Sequence, residues 1–279
     1  MKTYGGKVFI KTVKEEGLMK KLIFLSLMML LALPFAAYAA GSGGPPVPGL
    51  TIGFGQDFES GRDMKPTPVV LPVAIGTIDG IRPECHIRHW YRTMLQVGYG
   101  LFDFLEVYVK LGGAGFKFRT DMEDQFGNPV GDAVVHTKMG FAYGGGVKAA
   151  YEFKNGAVKG LLIGADAQYL RHTQRYHAMT MDDTGPCDDS GHVTLQEWQI
   201  GPFVGYRIMN FLPYVGMKYS QVTLKFSGGG EYTKFRADDH FGGFVGLTYD
   251  IVPRKLMLNV EGRFIDETGI NCSVIYKFK

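Results

Sequence analysis

The chain has 279 residues with a formal net charge of +3, 20% charged and 13% aromatic residues, and 39 glycines, about twice the ordinary share of ~7%. Basic residues are scattered singly, so nucleic-acid binding gains no support. Past the amino-terminal segment no apolar run approaches the ~20 residues of a spanning helix.

Met19 is followed by Lys20 and Lys21, an apolar run from Leu22 to Ala37, and the small-residue pattern Ala37-Tyr38-Ala39. That order is a secretory signal with cleavage after Ala39. A membrane anchor is the alternative, but the run is shorter than the ~20 residues a spanning helix wants. Residues 1–39 are therefore read as a signal peptide with an over-extended start through Leu18, residues 40–49 as a flexible linker, and residues 50–279 as one domain.

Within that domain the apolar residues recur with period two. The pattern is clearest at the carboxyl end, where Phe241, Val245, Leu247, Tyr249 and Ile251 are followed by Leu256, Leu258, Val260 and Phe264, then Ile270, Val274, Tyr276 and Phe278. Period two marks strands with one apolar and one polar face. Ten strands are predicted near 50–58, 86–101, 104–118, 137–153, 158–171, 193–208, 211–226, 240–252, 255–266 and 269–279. Short turns fall at Phe102-Asp103, Lys154-Asn155-Gly156, Met209-Asn210 and Pro253-Arg254, and Asn-Gly is a strong tight-hairpin signal. Long polar connections are expected near 59–85, 120–136, 172–192 and 227–239. Two-faced strands behind a secretory signal predict an all-β, antiparallel, transmembrane up-and-down β-barrel of about ten strands (eight to twelve), with extracellular loops and with short turns and both termini periplasmic. The spread in strand count comes from Val69 to Ile78, which is apolar but interrupted by Pro72.

Cost decides which face meets lipid. In 256–264 one register exposes Asn259, Glu261 and Arg263 to hydrocarbon and the other exposes Leu256, Leu258, Val260 and Phe264. A cation at mid-bilayer costs about 2–4 kcal/mol, so the second register is expected. The same test sends Tyr91, Leu95, Val97, Phe141, Tyr143, Val147, Leu161, Ile163, Trp198, Ile200 and Val204 outward. It sends Arg92, Glu106, Lys110, Lys148, Glu152, Asp166, Glu197, Arg207, Asp250, Glu261 and Arg263 inward, with Gln96, Gln168 and Gln199. A barrel of this size is normally filled by side chains, and confined charges of both signs should pair. The expected lumen is a closed polar network or a narrow pore, for which inward glycines such as Gly98 and Gly144 leave room. Tyr99, Phe104, Tyr108, Tyr206, Phe211, Tyr214, Tyr276 and Phe278 are expected at the membrane interface, where amphipathic rings fit.

The stretch Tyr99-Gly100-Leu101-Phe102-Asp103-Phe104-Leu105-Glu106-Val107-Tyr108-Val109-Lys110-Leu111-Gly112 resembles the first complete hairpin of small porin-like outer-membrane proteins of Gram-negative bacteria. More loosely, the domain is similar to the outer-membrane protein A and opacity-type superfamily of small barrels. The resemblance implies residence in the outer membrane, with outer-membrane lipid and lipopolysaccharide as surroundings and the barrel-assembly machinery as a partner during insertion. It departs at the end, since Lys279 follows the aromatic Phe278 on which such barrels often finish.

Several clusters are candidates for chemistry. Asp238-Asp239-His240 resembles the Asp-and-His pair of omptin proteases, for which Asp121, Glu123 and Asp124 would supply a facing acidic group, because a His oriented by a carboxylate serves as a general base. Asp182, Asp183, Asp188 and Asp189 are read as a solvated acidic loop rather than a calcium site, lacking the spacing of one. His86, His89, His172, His177 and His192 are predicted near one rim without a ligand spacing, so no metal and no cofactor is expected. Cys85 and Cys187 form a possible disulfide between two loops, leaving Cys272 facing lipid. The leading expectation is a non-enzymatic porin-like or structural barrel that passes small solutes poorly. The alternatives are a surface adhesion barrel binding an extracellular ligand through 59–85 and 172–192, and a rim protease.

Overall fold

The computed structural model describes residues 45–46, 48–66, 82–123, 129–181, 185–187, 191–228 and 231–278; at 66, 82–85, 120–123, 129–133, 176–181, 185–187, 228 and 231–233 it describes the backbone alone. The signal, most of the linker and the Val69 to Ile78 segment lie outside the described residues.

The strands are β1 (Gly49–Ser60), β2 (Arg62–Pro66), β3 (Arg82–Phe102), β4 (Leu105–Glu123), β5 (Pro129–Thr137), β6 (Gly140–Glu152) and β7 (Leu161–Met181). They continue with β8 (Gly185–Cys187), β9 (Gly191–Tyr206), β10 (Phe211–Gly228), β11 (Glu231–Ala237), β12 (Phe241–Val252), β13 (Leu256–Phe264) and β14 (Thr268–Lys277). Ten of them, β1, β3, β4, β6, β7, β9, β10, β12, β13 and β14, each pair antiparallel with the next. β14 returns to β1 from Thr51↔Lys277 to Ser60↔Thr268 and closes the barrel.

β2, β5 and β11 continue β1, β6 and β12 after breaks at Gly61, Lys138-Met139 and Asp238–His240. Past those breaks the partners change. β11 pairs with β2 from Phe235↔Pro66 to Ala237↔Met64, and β5 lies between β4 and β7. A second closed ring of eight strands results, in the order β2, β3, β4, β5, β7, β9, β10 and β11. The missing pair is β13–β14, a short hairpin that turns over at Ile265, Asp266 and Glu267 beneath the β2–β11 pairing. The ten-stranded section carries the short turns and is called the turn end, and the eight-stranded section is the loop end.

The two sections are wrapped in opposite polarity. On β9 the outward residues Trp198, Ile200, Val204 and Tyr206 are apolar, while inward Glu197 and Gln199 are polar. Toward the loop end the same strand reverses, with His192, Thr194 and Gln196 outside and Val193 and Leu195 inside. β10 changes over between Tyr219 and Gln221, where Val222 and Leu224 begin the inner apolar face. Lipid outside demands an apolar wall, whereas water outside demands a polar wall over an apolar core. The change of polarity therefore marks where the barrel leaves the bilayer.

The predicted register of 256–264 is the observed one: Met257, Asn259, Glu261 and Arg263 are buried, while Val260 and Phe264 are exposed. The predicted long connections are corrected. Strand runs through much of 59–85, 120–136, 172–192 and 227–239, because beyond the bilayer the alternation persists with its polarity inverted. Charged outward residues such as Lys225 and Lys234 resemble a polar loop when only a lipid-facing strand is sought.

Candidate functional site

Charged side chains of both signs converge in the interior, which is layered along the barrel axis. At the turn end Arg207, immediately after β9, bridges Glu152 at 2.9 Å and Asp250 at 2.8 Å. These three line a cavity of about 140 Å³ with Tyr151, Met257 and Lys277. Lys277 Nζ donates to the Pro45 carbonyl at 2.8 Å, and Pro46 is buried against the same mouth.

Deeper in the lumen, Thr51 donates to Glu106 at 2.9 Å, Tyr108 to Asp166 at 2.8 Å and Lys110 to Gln168 at 2.5 Å. Tyr214 donates to Asn259 at 3.0 Å and lies 2.9 Å from Glu261, and Asn259 also accepts from Thr248 at 2.9 Å. Gly98 leaves the space here: a Cβ at that position would collide with Glu106 Oε1 and Thr51 Oγ1. Lys148 is buried with its ammonium 5.9 Å from the Phe203 ring, beside an apolar cluster of Ala150, Leu162, Phe203, Leu212, Tyr214 and Phe244.

The next layer is an ionic plate. Arg92 binds Glu197 at 2.7 Å, Glu59 at 2.9 Å and also Asp57. Arg263 binds Glu59 and Glu267 at 2.8 Å each, and also Asp57. Arg62 lies 3.6 Å from Glu197 and 3.3 Å from Asp266 and contacts Glu267, while Lys218 reaches Asp266 at 3.1 Å and Glu267. All of these groups are buried. Taking ions out of water costs several kcal/mol each, so such a plate persists only when every charge has several partners, as here.

The β13–β14 turn supplies two of its carboxylates. Ile265 has φ of 86°, a left-handed backbone that a β-branched residue rarely adopts and that costs about 1–3 kcal/mol. This kink leaves Ile265 exposed and turns Asp266 and Glu267 into the lumen. Gly242 makes the entry possible, since a Cβ there would overlap the Asp266 carboxylate.

Above the plate the eight-stranded ring is filled by Met64, Ile87, Trp90, Phe116, Phe118, Val135, Val193, Leu195, Val222, Leu224, Phe235 and Ala237. His172 is buried beside them, 5.4 Å from Trp90, with Nδ1 2.9 Å from Gln174. Eight strands enclose an interior just wide enough for side chains to fill.

All eleven predicted lumen residues face inward, but they fall in separate groups rather than one network: Arg207, Glu152 and Asp250 near the mouth; Glu106, Lys110, Lys148, Asp166 and Glu261 in the middle; Arg92, Glu197 and Arg263 in the plate. Sequence reasoning missed Asp57, Glu59, Arg62, Lys218, Asp266 and Glu267. Parity was an available signal for Asp57 and Glu59, which flank outward Phe58 on β1.

Of the expected interface aromatics, Tyr99, Phe104, Tyr206, Phe211, Tyr276 and Phe278 are exposed at the turn end. Tyr108 and Tyr214 are corrected: they are 5% and 4% exposed and point into the lumen. Tyr108 shares parity with Glu106 and Lys110, so the register that buries those charges buries its ring.

Of the omptin-like group, the described residues Asp238 and His240 make separate contacts. Asp238 lies on the outer wall at the β11–β12 break and pairs with Lys65 at 2.7 Å, while His240 Nδ1 donates to the Ser220 carbonyl at 3.0 Å. Asp124 and the side chains of Asp121 and Glu123 lie outside the described residues. The histidines are dispersed, with His86 beside Asp63 at 2.7 Å and His89 stacked on Phe58, both on the outer wall, while His172 is inside. The acidic residues 182–183 and 188–189, and the side chains of His177, Cys85 and Cys187, lie outside the described residues; Cys272 is a free thiol. Glu59, Glu197 and Glu267 offer carboxylate oxygens within 4.8 Å of one another, a spacing that suits a cation, and Arg62, Arg92 and Arg263 already supply that charge.

No protein-family model matches the chain, and no curated protein matches it. Among solved structures it is similar to the outer membrane protease OmpT from Escherichia coli, at 11% identity and a TM-score of 0.48, covering 82% of this chain and 96% of that one. It is similar to the outer membrane protein OprG from Pseudomonas aeruginosa at 12% identity and a TM-score of 0.36, covering 85% and 99%. A COG4313 outer membrane channel from Pseudomonas putida F1 matches at 10% identity and a TM-score of 0.35, covering 86% and 100%. The closed ring of ten antiparallel strands inside an apolar belt decides the fold. The chain is a small β-barrel of the membrane-spanning kind. In this barrel the polar lumen of the ten-stranded section gives way to the apolar core of the eight-stranded ring.

Proposed function

We propose that the protein is a non-enzymatic structural barrel of the outer membrane with a non-conducting lumen, its turn end and both termini in the periplasm. One observation carries the reading: the ionic plate and the packed ring beyond it lie in series across the lumen. A solute would have to break ion pairs whose loss costs several kcal/mol and then part an apolar core. Planar-bilayer recording of the purified barrel is expected to show no discrete conductance steps. Regular steps in the absence of denaturant would replace this reading by a pore.

A second reading, surface binding, is favoured by the projection of the eight-stranded ring beyond the belt, where outward residues of β9 and β10 such as Thr194, Gln196, Thr223 and Lys225 are polar. Protease treatment of intact cells is expected to cut at the loop end and spare the turns at 153–160 and 253–255. The reverse pattern would overturn the orientation.

A further inference from the structure

Beyond the aromatic girdle at the loop end the outer wall becomes basic. Tyr169 is the last outward aromatic of the belt on β7, and Arg171, Thr173 and Arg175 follow on the same face. Lys138 is adjacent, its amide donating to the Arg175 carbonyl, and His192 stands opposite Arg175 on β9. Lys117 on β4 occupies the same zone opposite His89, and Lys225 on β10 stands directly across from Lys234 on β11. Among the described side chains no carboxylate shares the outward face of β4, β5, β7, β9 and β10 there; outward Asp63, Asp238 and Asp239 lie on the β2–β11 side. Like charges directly across a strand pair are destabilising, so the Lys225 and Lys234 pair is a place that favours a bound anion.

Depth identifies the anion. Interfacial rings sit at headgroup level. A rise of about 3.3 Å per residue puts Arg171 within roughly 7 Å of Tyr169 along the strand. Arg forks match phosphate oxygens in a bidentate manner. We propose that this basic collar binds the phosphate groups of anionic lipids in the leaflet at the loop end. A soluble anion would have to be captured from solution, whereas a headgroup is already held at this height by the belt beneath it. The proposal rests on insertion of the barrel in a bilayer and not on a closed lumen, so it stands or falls separately from the conductance result.

The test is native mass spectrometry of the full barrel, delipidated in neutral detergent and titrated with phosphatidic acid or phosphatidylcholine. Several copies of phosphatidic acid are expected to be retained at concentrations where phosphatidylcholine is not. The combined variant Lys138→Gln, Arg171→Gln, Arg175→Gln should lower that retention by at least about five-fold. A second variant, Lys225→Gln with Lys234→Gln, should also lower it, while Lys154→Gln, Arg254→Gln and Lys255→Gln at the turn end should not. None of these side chains is buried, and unchanged cooperative melting verifies folding. Equal retention of the two lipids, equal loss in the turn-end variant, or displacement of phosphatidic acid by millimolar inorganic phosphate would overturn the proposal, the last by pointing to a soluble-anion site.

Discussion

Replacing Arg263 by Gln is expected to destabilise the barrel by about 3–5 kcal/mol, the range seen when one partner of a buried ion pair is removed. Arg263 binds Glu59 and Glu267 at 2.8 Å and also contacts Asp57. Without it, the remaining Arg62, Arg92 and Lys218 face all five carboxylates of the plate. Glu267→Gln combined with Arg263→Gln should recover part of the loss, because one of the uncompensated charges disappears with it. Urea titration of folding in lipid vesicles measures both variants. A loss under about 1 kcal/mol for Arg263→Gln would mean that water already screens the plate, and the closed-lumen reading would fail with it.

Trp90→Ala is expected to cost a similar amount, about 3–5 kcal/mol, for a different reason. Trp90 is 1% exposed and sits where the ionic plate meets the apolar ring, with the Arg92 guanidinium carbon 4.1 Å from its ring centroid and His172 5.4 Å away. Truncation removes the largest buried side chain of the ring and one wall of the Arg92 site. Trp90→Phe should cost under about 1.5 kcal/mol, since it keeps most of the apolar volume. The indole Nε1 has no hydrogen-bond partner among the described residues, so Phe forfeits no bond there. Equal losses for Phe and Ala would show that packing is not what Trp90 contributes. Thermal unfolding in detergent separates the two variants.

Much of this barrel was legible strand by strand. Val260 and Arg263 could be assigned to opposite faces because burying a cation in hydrocarbon is penalised at each residue, whatever the rest of the chain does. Tyr108 shows where that logic was set aside: an aromatic near a turn suggested the interface, although its parity with Glu106 and Lys110 already placed it inside. The loop end was harder to read. There the strands no longer face lipid, so outward Thr223 and Lys225 carry no mark of a membrane strand, and inward Val222 and Leu224 gain meaning only once a closed ring surrounds them.

By itself the amino-acid sequence determined a barrel of about ten strands, the face that most of their residues present to lipid and the charged character of the lumen, since each follows from the local cost of putting a side chain in lipid. Only the tertiary structure decided that the barrel narrows from ten strands to eight. That outcome depends on β2 meeting β11 across more than half the chain, above the short β13–β14 hairpin, and on the Ile265 kink that swings Asp266 and Glu267 beneath Arg62. Pairing and ion contact between segments so distant depend on where other strands end, and no periodicity within one strand records that.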